Sequence, residues 1–412
     1  MATETRVLTP AHALRPRFDA WLLVSVLALA GIGVIMVYSS SISDAFQYYG
    51  SPTFFLKREL VWMIAGLGAL AFGAWLPYRN WLKFSGVFAG VSVLLLGAVL
   101  IPHIGSSSHG AQRWFQLGSS LSVEPSELAK IALILYMAHW LSRKGEKIRD
   151  FSRCSMPFGI MVGIVCLLIL KQPDMGTAIV IVLSMLIVYF VAGARLDHLF
   201  LGASAAFLLA LVALKFEAYR GARLAAWLDP WKYSHGAGYH TVQALLALGL
   251  GGLTGVGLGN SQQKYYLPAP YTDSIFAVSA EELGFLGAIA IIGLFVLFAY
   301  RGFRVARYAP DDFSRLLAVG ITATIVIQAF INVAVITASL PFTGVPLPFI
   351  SFGGSSLVIS MLAVGILLNI SSHDPQRRLA ATESDTEAAP EHEAGNNGRQ
   401  DGRARRSRSR GH

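Results

Sequence analysis

The chain has 412 residues, 54% of them hydrophobic and only 14% charged, with a formal net charge of +9. A soluble globular chain carries about 25% charged residues, so the composition excludes a water-soluble enzyme, a disordered scaffold and a β-rich secreted module. The apolar residues form continuous runs near the roughly 20 residues that cross a bilayer as helix. They lack the alternation of an outer-membrane barrel, and the chain reads as an all-α polytopic membrane protein.

Residues 1–20 read as a short cytoplasmic amino-terminal segment and 21–372 as one membrane domain. Apolar windows fall at Trp21–Tyr38, Leu60–Leu76, Trp81–Ile101, Leu128–Leu141, Pro157–Leu170, Thr177–Val191, His198–Leu214, Ile275–Ala299, Leu316–Ala338 and Leu357–Ile370, which makes about ten spans. The first follows Arg15 and Arg17 but is too long for a signal-peptide core and has no small-x-small cleavage site, so it reads as a retained anchor. Between spans seven and eight lies a long extracytoplasmic loop, 215–274. It holds an amphipathic stretch, Tyr239–Leu250, and a run of glycines (251, 252, 255, 257 and 259) able to bend along the membrane surface. Residues 373–412 turn acidic and then arginine-rich with almost no large apolar side chain, and are expected to form a disordered cytoplasmic tail. A polybasic patch for anionic lipid or a cytoplasmic partner is its functional alternative.

Alternate short segments carry 17 Lys and Arg residues on one side against 9 on the other, the long loop included. The positive-inside rule then places both termini in the cytoplasm. Basic residues dispersed in this way report topology and imply no nucleic acid partner. Cys154 lies in a Lys/Arg-rich loop and Cys166 inside an apolar run, so both are expected as free thiols.

Polar chemistry collects at the outer ends of the spans. Asp273 opens span eight, where an acidic residue serves either as a helix cap or as a chemical group. Arg113, Glu124, Glu127 and Asp174 belong to other outer segments, and Glu127 shares a helix face with Lys130 at i, i+3. Glu281 and Glu282 lie about 12 Å further along span eight. Charges at membrane depth normally face the bundle interior or a wet cavity, so these groups are expected to converge on one outer cavity. Glu127 with Lys130 also fits a structural ion pair. Gln328 and Asn332, an i, i+4 pair, point to interhelical hydrogen bonds. His103, His109, His235 and His240 show no metal-ligand spacing and receive no role. The run Ser351 to Ser356, after Pro341, Pro346 and Pro348, suggests a close-packed or re-entrant turn with either a packing or a substrate-contact role.

Five segments in this order, Gly110 to Trp114, Pro125 to Lys130, Gln172 to Ala178, Gly257 to Ala277 with Glu281-Glu282-Leu283-Gly284, and Gly344 to Ser356, resemble the SEDS (shape, elongation, division and sporulation) peptidoglycan glycosyltransferases. Gly259-Asn260-Ser261 and Gln263-Lys264 are similar to the FtsW branch used in cell division. The family usually shows His-Thr-Asp-Phe where this chain has Tyr271-Thr272-Asp273-Ser274, so the resemblance carries over a role for the Asp only. It implies polymerisation of lipid II at the outer face of the bacterial cytoplasmic (inner) membrane. The 4-hydroxyl of one disaccharide would displace undecaprenyl pyrophosphate from the anomeric carbon of another with inversion. Asp273 then suits the base, and Arg113 and Lys130 the pyrophosphate. Glu127 and Asp174 could orient groups or hold a divalent cation, Mg or Mn, and Lys264, Glu281 and Ser351 are further substrate-binding candidates. The resemblance also implies a single-span class B penicillin-binding transpeptidase and other division proteins as partners, with septal localisation. A lipid II flippase and a non-catalytic division scaffold are the alternatives. The scarcity of ionisable residues in the cytoplasmic halves of the spans favours a one-sided site.

Overall fold

The computed structural model describes residues 18–102, 105–108, 111–117, 121–216 and 218–373. The amino-terminal segment before Phe18, the tail beyond His373, and His103 and His109 lie outside the described residues. Among the described residues twelve α-helices run in chain order: α1 Ala20–Tyr49, α2 Phe54–Trp75, α3 Tyr78–Ala98, α4 Pro125–Ser142, α5 Met156–Leu170, α6 Met175–Val191, α7 Leu196–Phe216, α8 Ala218–Leu228, α9 Tyr239–Gly251, α10 Ile275–Arg307, α11 Asp312–Ile336 and α12 Gly354–Ser371. Each predicted apolar run coincides with a helix. Six stretches, α1, α3, Phe151–Leu170, α10, α11 and α12, are both long and apolar enough to cross a membrane, and Met175–Val191 and Leu196–Val212 are shorter apolar helices.

Several boundaries differ from expectation. α1 continues to Tyr49 and α10 to Arg307, past the predicted ends at Tyr38 and Ala299, because helix persists where the chain leaves the apolar stretch. The fold is not purely helical. Between α3 and α4 lies a three-stranded antiparallel meander, β1 Ser106–Ser108, β2 Ala111–Leu117 and β3 Leu121–Val123, with Phe115 opposite Val123. The long segment after α7 contains two helices, α8 and α9, of which only α9 was foreshadowed by the amphipathic stretch.

α11 is the most buried of the long helices and packs against α4, α6 and α10. α2 lies along α12, and the contact is made through glycine: a Cβ on Gly73 or Gly365 would collide with the backbone of the opposite helix. Such close approach is how helices associate in lipid, where apolar burial gives no driving force.

α10 is broken at Gly284, whose φ of 70° and ψ of −172° leave the helix. The break frees carbonyls that the helix would otherwise satisfy. The glycine-rich segment after α9 takes them: Val256 N–H donates to Glu281 O (3.0 Å) and Gly257 N–H to Glu282 O (3.1 Å), while Phe285 N–H donates to Gly252 O (2.9 Å). A side chain on Gly255 or Gly284 would strike the other strand's backbone, so the two glycines permit the crossing. Unpaired backbone groups inside a bundle are too costly to leave open.

Candidate active site

The starts of α4, α6 and α10, the end of α11 and the segment before α12 meet at one end of the bundle. Asp273 lies two residues before α10, whose N-cap is Ser274, so its carboxylate is not the helix cap, and it is fixed from three directions. Asn332 of α11 donates from Nδ2 to Asp273 O and to Val345 O, both at 2.8 Å. Ser351 Oγ donates to Thr272 O (2.7 Å) and accepts from Leu347 N–H, and Phe352 N–H donates to Tyr271 O. On the side chain, Thr272 Oγ1 lies 3.1 Å and Ser274 Oγ 3.5 Å from Oδ1, each hydroxyl also within reach of a backbone carbonyl, Ala269 O at 2.9 Å and Pro268 O at 3.4 Å. Among the described residues no hydrogen bond reaches Oδ2, which points toward Gly344. The carboxylate is thus held by one oxygen and open at the other.

One turn back along α11, Gln328 Nε2 donates to Pro346 O (3.0 Å), and its Oε1 accepts from Lys130 Nζ (2.6 Å). Lys130 is buried and also donates to Glu127 Oε1 at 2.9 Å. The expected hydrogen bonding of Gln328 and Asn332 is therefore present, and it connects the Asp273 backbone to the Glu127–Lys130 pair. Next to this pair, Arg113 on β2 donates from Nε to Gln172 O (2.8 Å) and from Nη2 to Pro173 O, with Asp174 Oδ2 3.8 Å from Nη1. Asp174 caps α6 by accepting from Thr177 N–H. Burial, reinforced by the neighbouring charges of Glu127 and Asp174, pushes the Glu124 carboxyl up to about 7. Asp273, Lys130, Glu127, Asp174 and Arg113 accordingly belong to one polar region.

Glu281, Glu282 and Lys264 do not join it, which corrects the expected single cavity. Glu281, fully buried, accepts from Ser261 Oγ (2.5 Å), Gln262 N–H (2.8 Å) and Gln263 N–H (3.3 Å). Glu282 accepts from Ser39 Oγ of α1 (2.6 Å) and lies 3.9 Å from Lys264 Nζ, which donates to Gly259 O (2.6 Å). These groups close on one another because the loop 259–264 folds over the α10 break and has its own amides to satisfy. Ser351 uses its hydroxyl on the two backbone groups named above, so it packs a re-entrant segment. Backbone of that segment at Phe349 and Ile350 lies directly on Gly33.

No group of three or more His, Cys, Asp or Glu side chains among the described residues is arranged to hold a metal ion. Glu127 is engaged by Lys130, and Asp174 by Arg113 and the α6 amide. Both cysteines are free, as expected, but both are buried. Sequence reasoning missed His240, which α9 brings against Ser274 with Nε2 2.6 Å from Oγ. Its lone position at 240 carries no spacing signal, and only the crossing of α9 over the start of α10 reveals it. Tyr271, the other departure from the family pattern, packs among Phe55 and Phe352.

A helical bundle of membrane-spanning length, with a held carboxylate, a buried lysine and a half-buried arginine gathered at one end, defines a polytopic membrane protein with a one-ended polar site. The chain belongs to the cell cycle protein family of FtsW, RodA and SpoVE, matching it over residues 20–376. It is 41% identical to a probable peptidoglycan glycosyltransferase FtsW of Geobacter sulfurreducens over 86% of this chain and 95% of that protein. Stage V sporulation protein E of Bacillus subtilis is 42% identical over 86% of this chain and 97% of its own length. Among solved structures, a chain of a peptidoglycan synthase complex that coordinates polymerization and crosslinking superposes with a TM-score of 0.73 at 29% identity, covering 87% of this chain and 99% of that one. The rod shape determining protein RodA of Thermus thermophilus gives 0.65 at 28%, covering 87% and 98%.

Proposed function

We propose that this protein is a peptidoglycan glycosyltransferase that polymerises lipid II at the outer face of the bacterial cytoplasmic membrane during septal wall synthesis. The observation that carries the reading is Asp273, with Oδ1 held, Oδ2 open and a fixed backbone beside the only region that gathers Arg113 and Lys130 among the described residues. In the reaction the 4-hydroxyl oxygen of one disaccharide bonds to the anomeric carbon of the next, the bond from that carbon to undecaprenyl pyrophosphate breaks, and the hydroxyl proton passes to Asp273 Oδ2. A positioned base of this kind is worth about 10² to 10⁴ in rate. Arg113 and Lys130 stabilise the departing pyrophosphate. Lys130 has one N–H beyond its bonds to Glu127 and Gln328, and Arg113 has donors beyond Gln172 and Pro173. Glu127 and Asp174 aim these cations. A divalent cation would arrive on the pyrophosphate, since Glu127 is engaged by Lys130 and Asp174 by Arg113 and the α6 amide.

The proposal includes ten spans, the long segment 215–274 outside, and both termini inside, supported by the 17 against 9 distribution of Lys and Arg. A single-span class B penicillin-binding transpeptidase and further division proteins are the proposed partners, a reading supported by the similarity to a synthase-complex chain. A flippase needs a polar route to both faces. At the end opposite Asp273 the inward polar groups pair with one another, Arg301 Nη2 with Asp19 Oδ2 at 2.6 Å and Asn369 accepting from Tyr78 N–H. The test is purified full-length protein in liposomes with lipid II, alone and with the transpeptidase. Glycan polymer supports the proposal; lipid II crossing the bilayer with no polymer in either arm overturns it in favour of a flippase.

A further inference from the structure

We infer that His240 is a positioning residue for the Asp273 carboxylate, acting through Ser274. The inference rests on the reading of Asp273 as the base and goes beyond it by naming what aims that base. Three groups form a line: His240 Nε2 lies 2.6 Å from Ser274 Oγ, and Ser274 Oγ lies 3.5 Å from Asp273 Oδ1. Both intermediates are buried, Ser274 completely and His240 to 9% exposure. His240 is wedged against the Phe342 ring at 4.0 Å between centroids, which leaves the imidazole little freedom to turn away.

The direction of the line follows from what surrounds it. Nδ1 of His240 is buried with no hydrogen-bond partner. If Nδ1 carried the proton, a buried N–H would be orphaned, whereas a bare ring nitrogen is the cheaper group to leave unpaired. The proton therefore belongs on Nε2, which donates to Ser274 Oγ; the Ser274 hydroxyl then has two acceptors in reach, Pro268 O at 3.4 Å and Asp273 Oδ1 at 3.5 Å, and the charged carboxylate is the stronger of the two. Thr272 Oγ1, shared between Ala269 O at 2.9 Å and the same carboxylate oxygen at 3.1 Å, flanks Oδ1 from the other side, so the hydroxyls gather on Oδ1 and leave Oδ2 toward the open side. The charged groups facing His240 are Asp273 and, beyond the Phe342 ring, Arg223 of α8. Burial holds the imidazole below its ordinary value despite the pull of Asp273, so at neutral pH the ring is neutral and the line runs as described. Protonating it would place a cation two bonds from the base and weaken its hold on the substrate proton.

The experiment uses the full-length protein in liposomes with lipid II and follows initial rates of polymer formation. His240→Ala and Ser274→Ala should each lower kcat about tenfold to a hundredfold, the range for losing a hydrogen bond that serves a charged group, with KM within about twofold. The double variant should be no worse than the poorer single, since both break one line. His240→Gln offers an amide donor that does not titrate: it should recover most of the lost kcat and remove the His-dependent fall of rate at acid pH. Additive losses, a rise in KM with unchanged kcat, or a His240→Ala variant within twofold of the parent would each overturn the inference. Asp273→Asn is measured alongside. If it polymerises like the parent, the base reading itself fails; if it is inactive while His240→Ala is fully active, only the positioning role fails.

Discussion

Replacing Glu281 by Gln separates two roles that the sequence left entangled. As a substrate-binding residue in the outer cavity, Glu281 would influence KM and leave folding alone. Its structural surroundings say otherwise: the fully buried carboxylate accepts three hydrogen bonds, from Ser261 Oγ and the amides of Gln262 and Gln263, with no substrate-facing atom. A hydrogen bond to a charged group contributes about 1.5–3 kcal/mol against about 1 for a neutral one. Losing charge assistance on three bonds therefore costs roughly 1.5–6 kcal/mol in all. The new amide nitrogen would also face Ser261, which can turn its hydroxyl to accept but then leaves its own proton unpaired. We expect about 2–4 kcal/mol of destabilisation, read as a clear fall in melting temperature of the detergent-solubilised protein. Polymerisation per folded molecule should stay within about threefold of the parent. A variant that melts with the parent yet shows a several-fold higher KM for lipid II would refute the structural assignment and return Glu281 to the substrate site.

Lys130→Met should destabilise by about 3–5 kcal/mol, because it strands Glu127 as a buried unpaired charge; adding Glu127→Gln should restore the melting temperature but not polymerisation, and recovery of both would reduce the pair to scaffolding. The raised carboxyl of Glu124, about 7 against an ordinary 4.5, means the folded protein holds a proton that the unfolded chain releases between those values. Parent stability should therefore fall as pH rises from about 4.5 to about 7 and then level off, whereas Glu124→Gln should lose that slope; parallel melting curves for the two proteins across this window would contradict it. Cys154 and Cys166 are buried, so neither reports topology well, but Ser152 is exposed beside Cys154: Ser152→Cys should react with a membrane-impermeant thiol reagent in inverted vesicles and not in intact cells, and labelling in intact cells would reverse the proposed orientation.

The apolar runs were legible in the sequence because a bilayer demands long uninterrupted stretches, and every such run proved to be helix. The i, i+4 spacing of Gln328 and Asn332 likewise announced polar contacts across helices. What the sequence concealed were groups whose meaning depends on a distant neighbour. Gly284 inside a helical pattern reads as a tolerated glycine until the segment at Gly255 is seen crossing it. Glu281 and Glu282 read as cavity carboxylates because their spacing from Asp273 is visible, while their true partners, Ser261 and Ser39, lie 20 and 243 residues away. The meander of β1, β2 and β3 was hidden because β1 and β3 are three residues each and β2, Ala111–Leu117, has no apolar alternation. His240 and Ser274, 34 residues apart, carry no joint signal in the chain.

Asp273→Asn tests the central claim most directly. Asn preserves the size of Asp, the Asp273 side chain caps no helix since Ser274 is the N-cap of α10, and the bonds from Asn332 to Asp273 O and from Ser351 to Thr272 O do not involve the replaced atoms, so the variant should insert and melt like the parent. It cannot take the proton of an attacking hydroxyl, and with lipid II in liposomes polymer formation should fall by about 10² to 10⁴. Polymerisation within about tenfold of the parent, by protein shown to be equally folded, would contradict the assignment of Asp273 as the base.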